Sequence, residues 1–127
     1  ISCSLVGSEM CIRDRYQEYL GVEVPNDREG CLQDSHWSGG SFGYFPSYAL
    51  GNAYGAQMLH NMEQEFDVFG QVARGSLSGV TGWLREHVHQ YGQLLEPAAI
   101  VKNACGEFDP HYYLDYLTRK YTELYNL

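Results

Sequence analysis

An all-α fold is what this 127-residue sequence predicts. Three observations predict it: apolar residues recur at helical spacing in several stretches, prolines and glycines stand where helices start and stop, and strand alternation persists nowhere. The composition, 44% hydrophobic and 14% aromatic with 11 tyrosines, is that of a folded chain rather than a disordered one. The length suits one small domain with a modest core.

Taken in order, Tyr16 to Leu20 reads as the end of a helix stopped by Gly21, and Val24-Pro25-Asn26-Asp27 as an extended or turn segment. Gly39, Gly40 and Gly43 mark a loop after His36 whose backbone passes close to something. Pro46 then opens a helix over about Ser47 to Phe66. Its first half is apolar around much of its circumference (Tyr48, Ala49, Leu50, Ala53, Tyr54, Ala56), which predicts burial. Gly51 and Gly55, one turn apart, predict the close approach of another helix. Asn52, Gln57, His60, Glu63 and Glu65 interrupt any apolar run long enough to cross a bilayer.

A second helix is expected over about Thr81 to Tyr91, with Trp83, Leu84, Val88 and Tyr91 near helical spacing and Gly92 as its stop. Pro97 opens a short helix that ends near Cys105-Gly106. Asp109-Pro110 supplies a cap and first turn for the last helix, where Tyr113, Leu117, Tyr121 and Leu124 share a face. No repeat, low-complexity tract or long linker divides the chain.

Residues 1–15, ISCSLVGSEMCIRDR, show no helical period and no alternation, and they resemble the translation of a sequencing adapter. They are set aside as a non-native leader, leaving 16–127 as the genuine part, and a reading frame that starts on Ile fits truncation on its N-terminal side. Setting the leader aside leaves the net charge at −8, because Arg13 and Arg15 balance Glu9 and Asp14. That charge is spread out, with no Lys/Arg cluster of the kind nucleic acid or an anionic membrane surface requires, and it fits a soluble cytoplasmic protein. Four cysteines, at positions 3, 11, 31 and 105, show no C-x-x-C spacing, so neither a metal knuckle nor a disulfide framework is expected. Cys31 and Cys105 read as small apolar residues.

Gln33, Asp34, His36 and Trp37 place an amide, a carboxylate, an imidazole and an indole just before the glycine loop. Such groups resist burial without partners. On residue types alone an Asp–His hydrogen bond that merely fixes the loop, a common structural solution, accounts for the cluster better than a ligand site does. Glu86-His87-Val88-His89 does not form a metal pair on a helix, because residues two apart point about 200° from each other. His87, His89 and His60 read as packing or solvated histidines.

Gly30, Gln33, Asp34, His36 and Trp37 satisfy G-x-x-Q-D-x-H-W, and SGGSFGYFPSYALGNAYGAQ follows. With GWLREHVHQYG and the terminal LDYLTRKYTELYNL, these segments closely resemble the carboxypeptidase Taq family from about Tyr16 to Leu127. The resemblance implies the C-terminal helical part of a zinc metallocarboxypeptidase domain. Such enzymes release single residues from peptides with a free C-terminus by metal-activated water, with Zn2+ held by HExxH and a further Glu. HExxH is absent from these 127 residues, so no metal ligand is assigned and the segment is expected to be inactive alone. Ile12-Arg13 starts like the family's I-R-x-x-[AS]-D element but fails at Tyr16 and Gln17, so no carboxylate-binding arginine is assigned.

By analogy with related HExxH peptidases, the resemblance assigns His36 and Tyr44 to the scissile carbonyl, Tyr44 as the main oxyanion donor. Asp34 fixes the imidazole tautomer, Gln33 bonds the substrate or its neighbours, and Tyr48 faces the same cleft one turn beyond Tyr44, while Trp37 packs. Homodimerisation is implied by the resemblance alone. A second reading, of a different class, is a non-catalytic helical interaction module that keeps the ancestral sequence without its chemistry.

Overall fold

The computed structural model describes residues 8–127, with side chains described from Ile12 onward. Cys3 and residues 1–7 of the stretch set aside as a leader lie outside the described residues. The described fold is all-α, without strands. Its helices are α1 (Ser8–Leu20), α2 (Ser35–Ser38), α3 (Pro46–Glu65), α4 (Val68–Ala73), α5 (Ser78–His87), α6 (Pro97–Cys105) and α7 (His111–Tyr125), with 3-10 turns at Cys31–Gln33 and His89–Tyr91. The chain forms two compact units, Ile1–Tyr48 and Ala49–Leu127, and α3 begins in the first and continues in the second.

In the first unit α1 closes as expected at Gly21, whose amide donates to the Gln17 carbonyl at 3.1 Å while Val22 N–H reaches the Tyr16 carbonyl at 3.4 Å. The Arg13 guanidinium pairs with the Asp27 carboxylate and ties α1 to the following turn. Val24 is buried there against Gly30, where an added Cβ would lie 2.8 Å from Val24 Cγ1. A side chain at position 30 would therefore force Val24 to shift, which favours the motif glycine there.

The second unit has its core at Met62, Val68 and Trp83, surrounded by half-buried Met58, Leu59, Phe66, Val80, Leu84 and Val88. The Trp83 indole N–H donates to Glu65 Oε1 at 2.8 Å, so its polar edge is satisfied while its ring stays buried. Gln57 is the one fully buried polar side chain among the described residues, at 0% exposure. Its Nε2 donates to the carbonyls of Cys105 (3.2 Å) and Glu107 (2.9 Å), and its Oε1 accepts the Asp109 amide at 3.1 Å. One side chain thus holds α3 to the joint between α6 and α7.

Several sequence expectations need correction. Residues 8–15 are helical as part of α1, since a stretch free of Gly and Pro can continue a helix without an apolar stripe. The apolar stretch of α3 is buried only in part: Ala53 and Ala56 are buried and Tyr54 half-buried as expected, while Tyr48, Ala49 and Leu50 face solvent. Gly51 and Gly55 have nothing within 4 Å of an added Cβ, and a groove of about 410 Å³ opens between them and Tyr113, Leu117 and Tyr121 of α7. α7 accordingly buries no residue fully. α5 ends at His87 and passes through Val88 into a 3-10 turn ahead of Gly92, and α4 was not anticipated. α6 has the expected bounds, from Pro97 to Cys105 with Gly106 as its cap.

Candidate functional site

The site forms where the chain leaves the Gly30 turn. Asp34 sits at the N-cap of α2 with extended backbone, and its Oδ1 accepts the His36 amide at 2.9 Å, a standard carboxylate cap. The same oxygen lies 2.9 Å from His36 Nδ1. Because a carboxylate only accepts, Nδ1 carries a proton and Nε2 is the edge left to face outward. Both side chains are 25% exposed. Partial burial pushes the Asp34 carboxyl upward, but the amide, ring N–H and charge of His36 and the Trp37 amide outweigh it and hold the group below its ordinary 3.8.

After α2 the chain reverses through Gly40 and Gly43, whose φ values of 84° and 75° lie in the left-handed region. The reversal returns Tyr44, Phe45 and Tyr48 to the imidazole. Their ring centroids lie 4.9, 5.9 and 5.6 Å from that of His36. Tyr44 and Tyr48 meet edge to face at 6.1 Å, and both are more than half exposed. The outcome is a pinned imidazole with two accessible phenols beside it, a set able to donate hydrogen bonds to an oxygen on which charge develops.

The Asp–His bond is not distinctive by itself. Asp109-Pro110-His111 repeats the geometry at the start of α7, where Asp109 Oδ1 accepts the His111 amide at 2.9 Å and lies 2.7 Å from Nδ1. There too the Asp109 carboxyl is held below its ordinary value, first by the His111 amide and then by its ring. Yet His111 is 76% exposed, and among the described residues no aromatic ring packs on it. The ring cluster, rather than the Asp–His pair, sets the His36 site apart.

The remaining candidates separate clearly. The Gln33 amide nitrogen donates to the Arg28 carbonyl at 2.6 Å, which leaves its second N–H and Oε1 to offer. Trp37 packs edge-on to Phe42 at 4.9 Å. His60 packs tilted against Tyr112 at 4.6 Å, and His87 stacks on the Trp83 ring at 4.3 Å with its Nδ1–H donating to the Trp83 carbonyl at 3.0 Å. Cys31 is buried and Cys105 half-buried, both as free thiols, and burial pushes the Cys105 thiol up. Among the described residues no group of three His, Cys, Asp or Glu side chains is placed to hold a metal ion. No described helix is long and apolar enough to cross a membrane. Phe45 was not anticipated. A bulky apolar residue between Tyr44 and the helix-opening Pro46 was the available signal.

The chain is similar to known proteins over nearly its whole length. A family model described as carboxypeptidase Taq (M32) metallopeptidase matches residues 9–121, opening within the stretch set aside as a leader. Carboxypeptidase 1 of Bacillus subtilis (strain 168) is 46% identical over 115 residues, which span 89% of this chain and 23% of that protein. The crystal structure of an M32 carboxypeptidase from Deinococcus radiodurans R1 is similar with a TM-score of 0.84 at 32% identity, over 98% of this chain and 26% of that one. Metallocarboxypeptidase 1 of Trypanosoma cruzi gives 0.84 at 35% identity, over 94% and 25%. The chain spans about a quarter of the length of the relatives it matches.

Proposed function

The chain belongs to the carboxypeptidase Taq (M32) metallopeptidase family, and on that premise we propose that it is the C-terminal part of a cytoplasmic zinc carboxypeptidase acting on peptides with a free C-terminus. The observation that supports this reading best is the Asp34-pinned His36 ring gathered with the accessible phenols of Tyr44 and Tyr48.

Tyr44 is the principal donor to the scissile carbonyl. As water adds to that carbon, negative charge grows on the oxygen, and a phenol O–H aimed at it stabilises the transition state more than the bound substrate. His36 joins it through Nε2, donating there when the ring carries both protons, with Asp34 balancing the charge. Tyr48 and Gln33 Oε1 hold the peptide backbone beside the reacting bond. The residues described here do not fit a metal, since they bring no three ligands together. Its ligands belong to the part of the family fold that this chain does not span.

The test joins the upstream part of the Bacillus subtilis relative to residues 16–127 and measures release of C-terminal amino acids from free and amidated peptides. Release from the free peptide by the chimera, and none by the 127-residue chain, is expected. Activity of the short chain alone, or a folded chimera that releases nothing, contradicts the proposal.

A further inference from the structure

We infer that Phe45 is a positioning residue for His36, which it holds by the ring edge, so that the imidazole presents Nε2 in one orientation. The inference rests on the role proposed for His36. One hydrogen bond, from Nδ1 to Asp34, fixes one point of the ring and leaves it free to swing about that point. His111 is in that condition, tied to Asp109 and otherwise exposed. At His36 three rings remove the freedom. Tyr44 lies tilted at 36°, Tyr48 at 47°, and Phe45 meets the imidazole edge to face at 61°.

Phe45 differs from the two tyrosines in having no polar atom to offer a substrate, so it reaches the reaction only through rings it touches. It touches two, His36 at 5.9 Å and Tyr48 at 5.8 Å. Its own backbone is fixed, because the Tyr48 amide donates to the Phe45 carbonyl at 3.1 Å and Pro46 follows as the first residue of α3. Edge-to-face contacts of this kind are directional and favour one ring orientation over others.

The test is a double-mutant cycle in the full-length chimera, with Phe45→Ala, Phe45→Tyr, His36→Ala and the Phe45→Ala/His36→Ala pair. Phe45→Ala should lower kcat/KM about tenfold through kcat with KM little changed, and Phe45→Tyr, which keeps the ring, should recover most of the loss. In the His36→Ala background Phe45→Ala should cost nothing more. NMR relaxation of the His36 ring signals should show one rigid orientation in the parent and increased ring motion in Phe45→Ala, with the Nδ1–H bond to Asp34 kept in both. Equal Phe45→Ala losses in both backgrounds, or unchanged ring motion, would overturn the inference while leaving the role of His36 intact. If His36→Ala itself left kcat/KM unchanged, the proposed function of His36 would fall, and this inference with it.

Discussion

Replacing Gln57 by Leu keeps a side chain of similar size and removes every hydrogen bond it makes. Three backbone groups then lose a partner: the carbonyls of Cys105 and Glu107 and the amide of Asp109. A buried group left unsatisfied costs about 1–3 kcal/mol. Glu107 and Phe108 beside them are exposed, so water can reach part of the joint and the lower value applies, giving about 3 kcal/mol in all. At 1.4 kcal/mol per factor of ten, the α6–α7 joint should open about 100-fold more often. Hydrogen exchange of the Asp109 amide in the full-length chimera reads that opening directly. Asp109 protection in Gln57→Leu within twofold of the parent would refute the view that Gln57 holds this joint. Gln57→Glu should be no better, since it keeps an acceptor for Asp109 but places a charge at a site with no exposure.

Gly30→Ala should destabilise the chain by about 1–3 kcal/mol, because its Cβ meets Val24 Cγ1 at 2.8 Å, and Val24→Ala should restore much of the loss in thermal melts of the double mutant. The 127-residue chain by itself should bind hydrophobic dyes and associate through the exposed Phe42, Tyr44, Phe45, Tyr48 and Leu50, whereas a monodisperse monomer in sedimentation that melts cooperatively would contradict this. The folded state lowers the Asp34 and Asp109 carboxyls, so it favours their anions: this stabilisation is full above their ordinary 3.8 and is lost as pH falls through the lower folded values. Asp34→Asn should remove the Asp34 share of that acid dependence from thermal melts recorded across pH, and an unaltered dependence would show that the Asp34 carboxylate gains nothing from its contacts to His36.

How much of this was legible depended on whether the cause was local. α6 was read to its bounds because Pro97 and Gly106 bracket it chemically. The Asp34–His36 pair was within reach for the same reason, its geometry being a cap two residues long. α4 is six residues, too short for a period, and only its cap, Asp67 accepting the Gly70 amide at 2.8 Å, could have announced it. Gln57 looked like a polar interruption, since its partners lie about fifty residues away and are backbone atoms with no side-chain signature. The approach of Tyr44 and Tyr48 to His36 depends on two left-handed glycines, so no periodicity implied it and resemblance to a family supplied it. The burial expected for Tyr48, Ala49 and Leu50 at the start of α3 failed, while that of Ala53 and Ala56 held, because an apolar pattern records what a helix can bury, not what is present to cover it.

The sharpest test of the proposed action of Tyr44 and His36 on the scissile carbonyl is Tyr44→Phe in the full-length chimera, since the change removes one oxygen and keeps the ring packed on His36. Release of a C-terminal residue should fall in kcat/KM by about 10²-fold or more, carried by kcat. An unchanged kcat/KM in a correctly folded enzyme would contradict it.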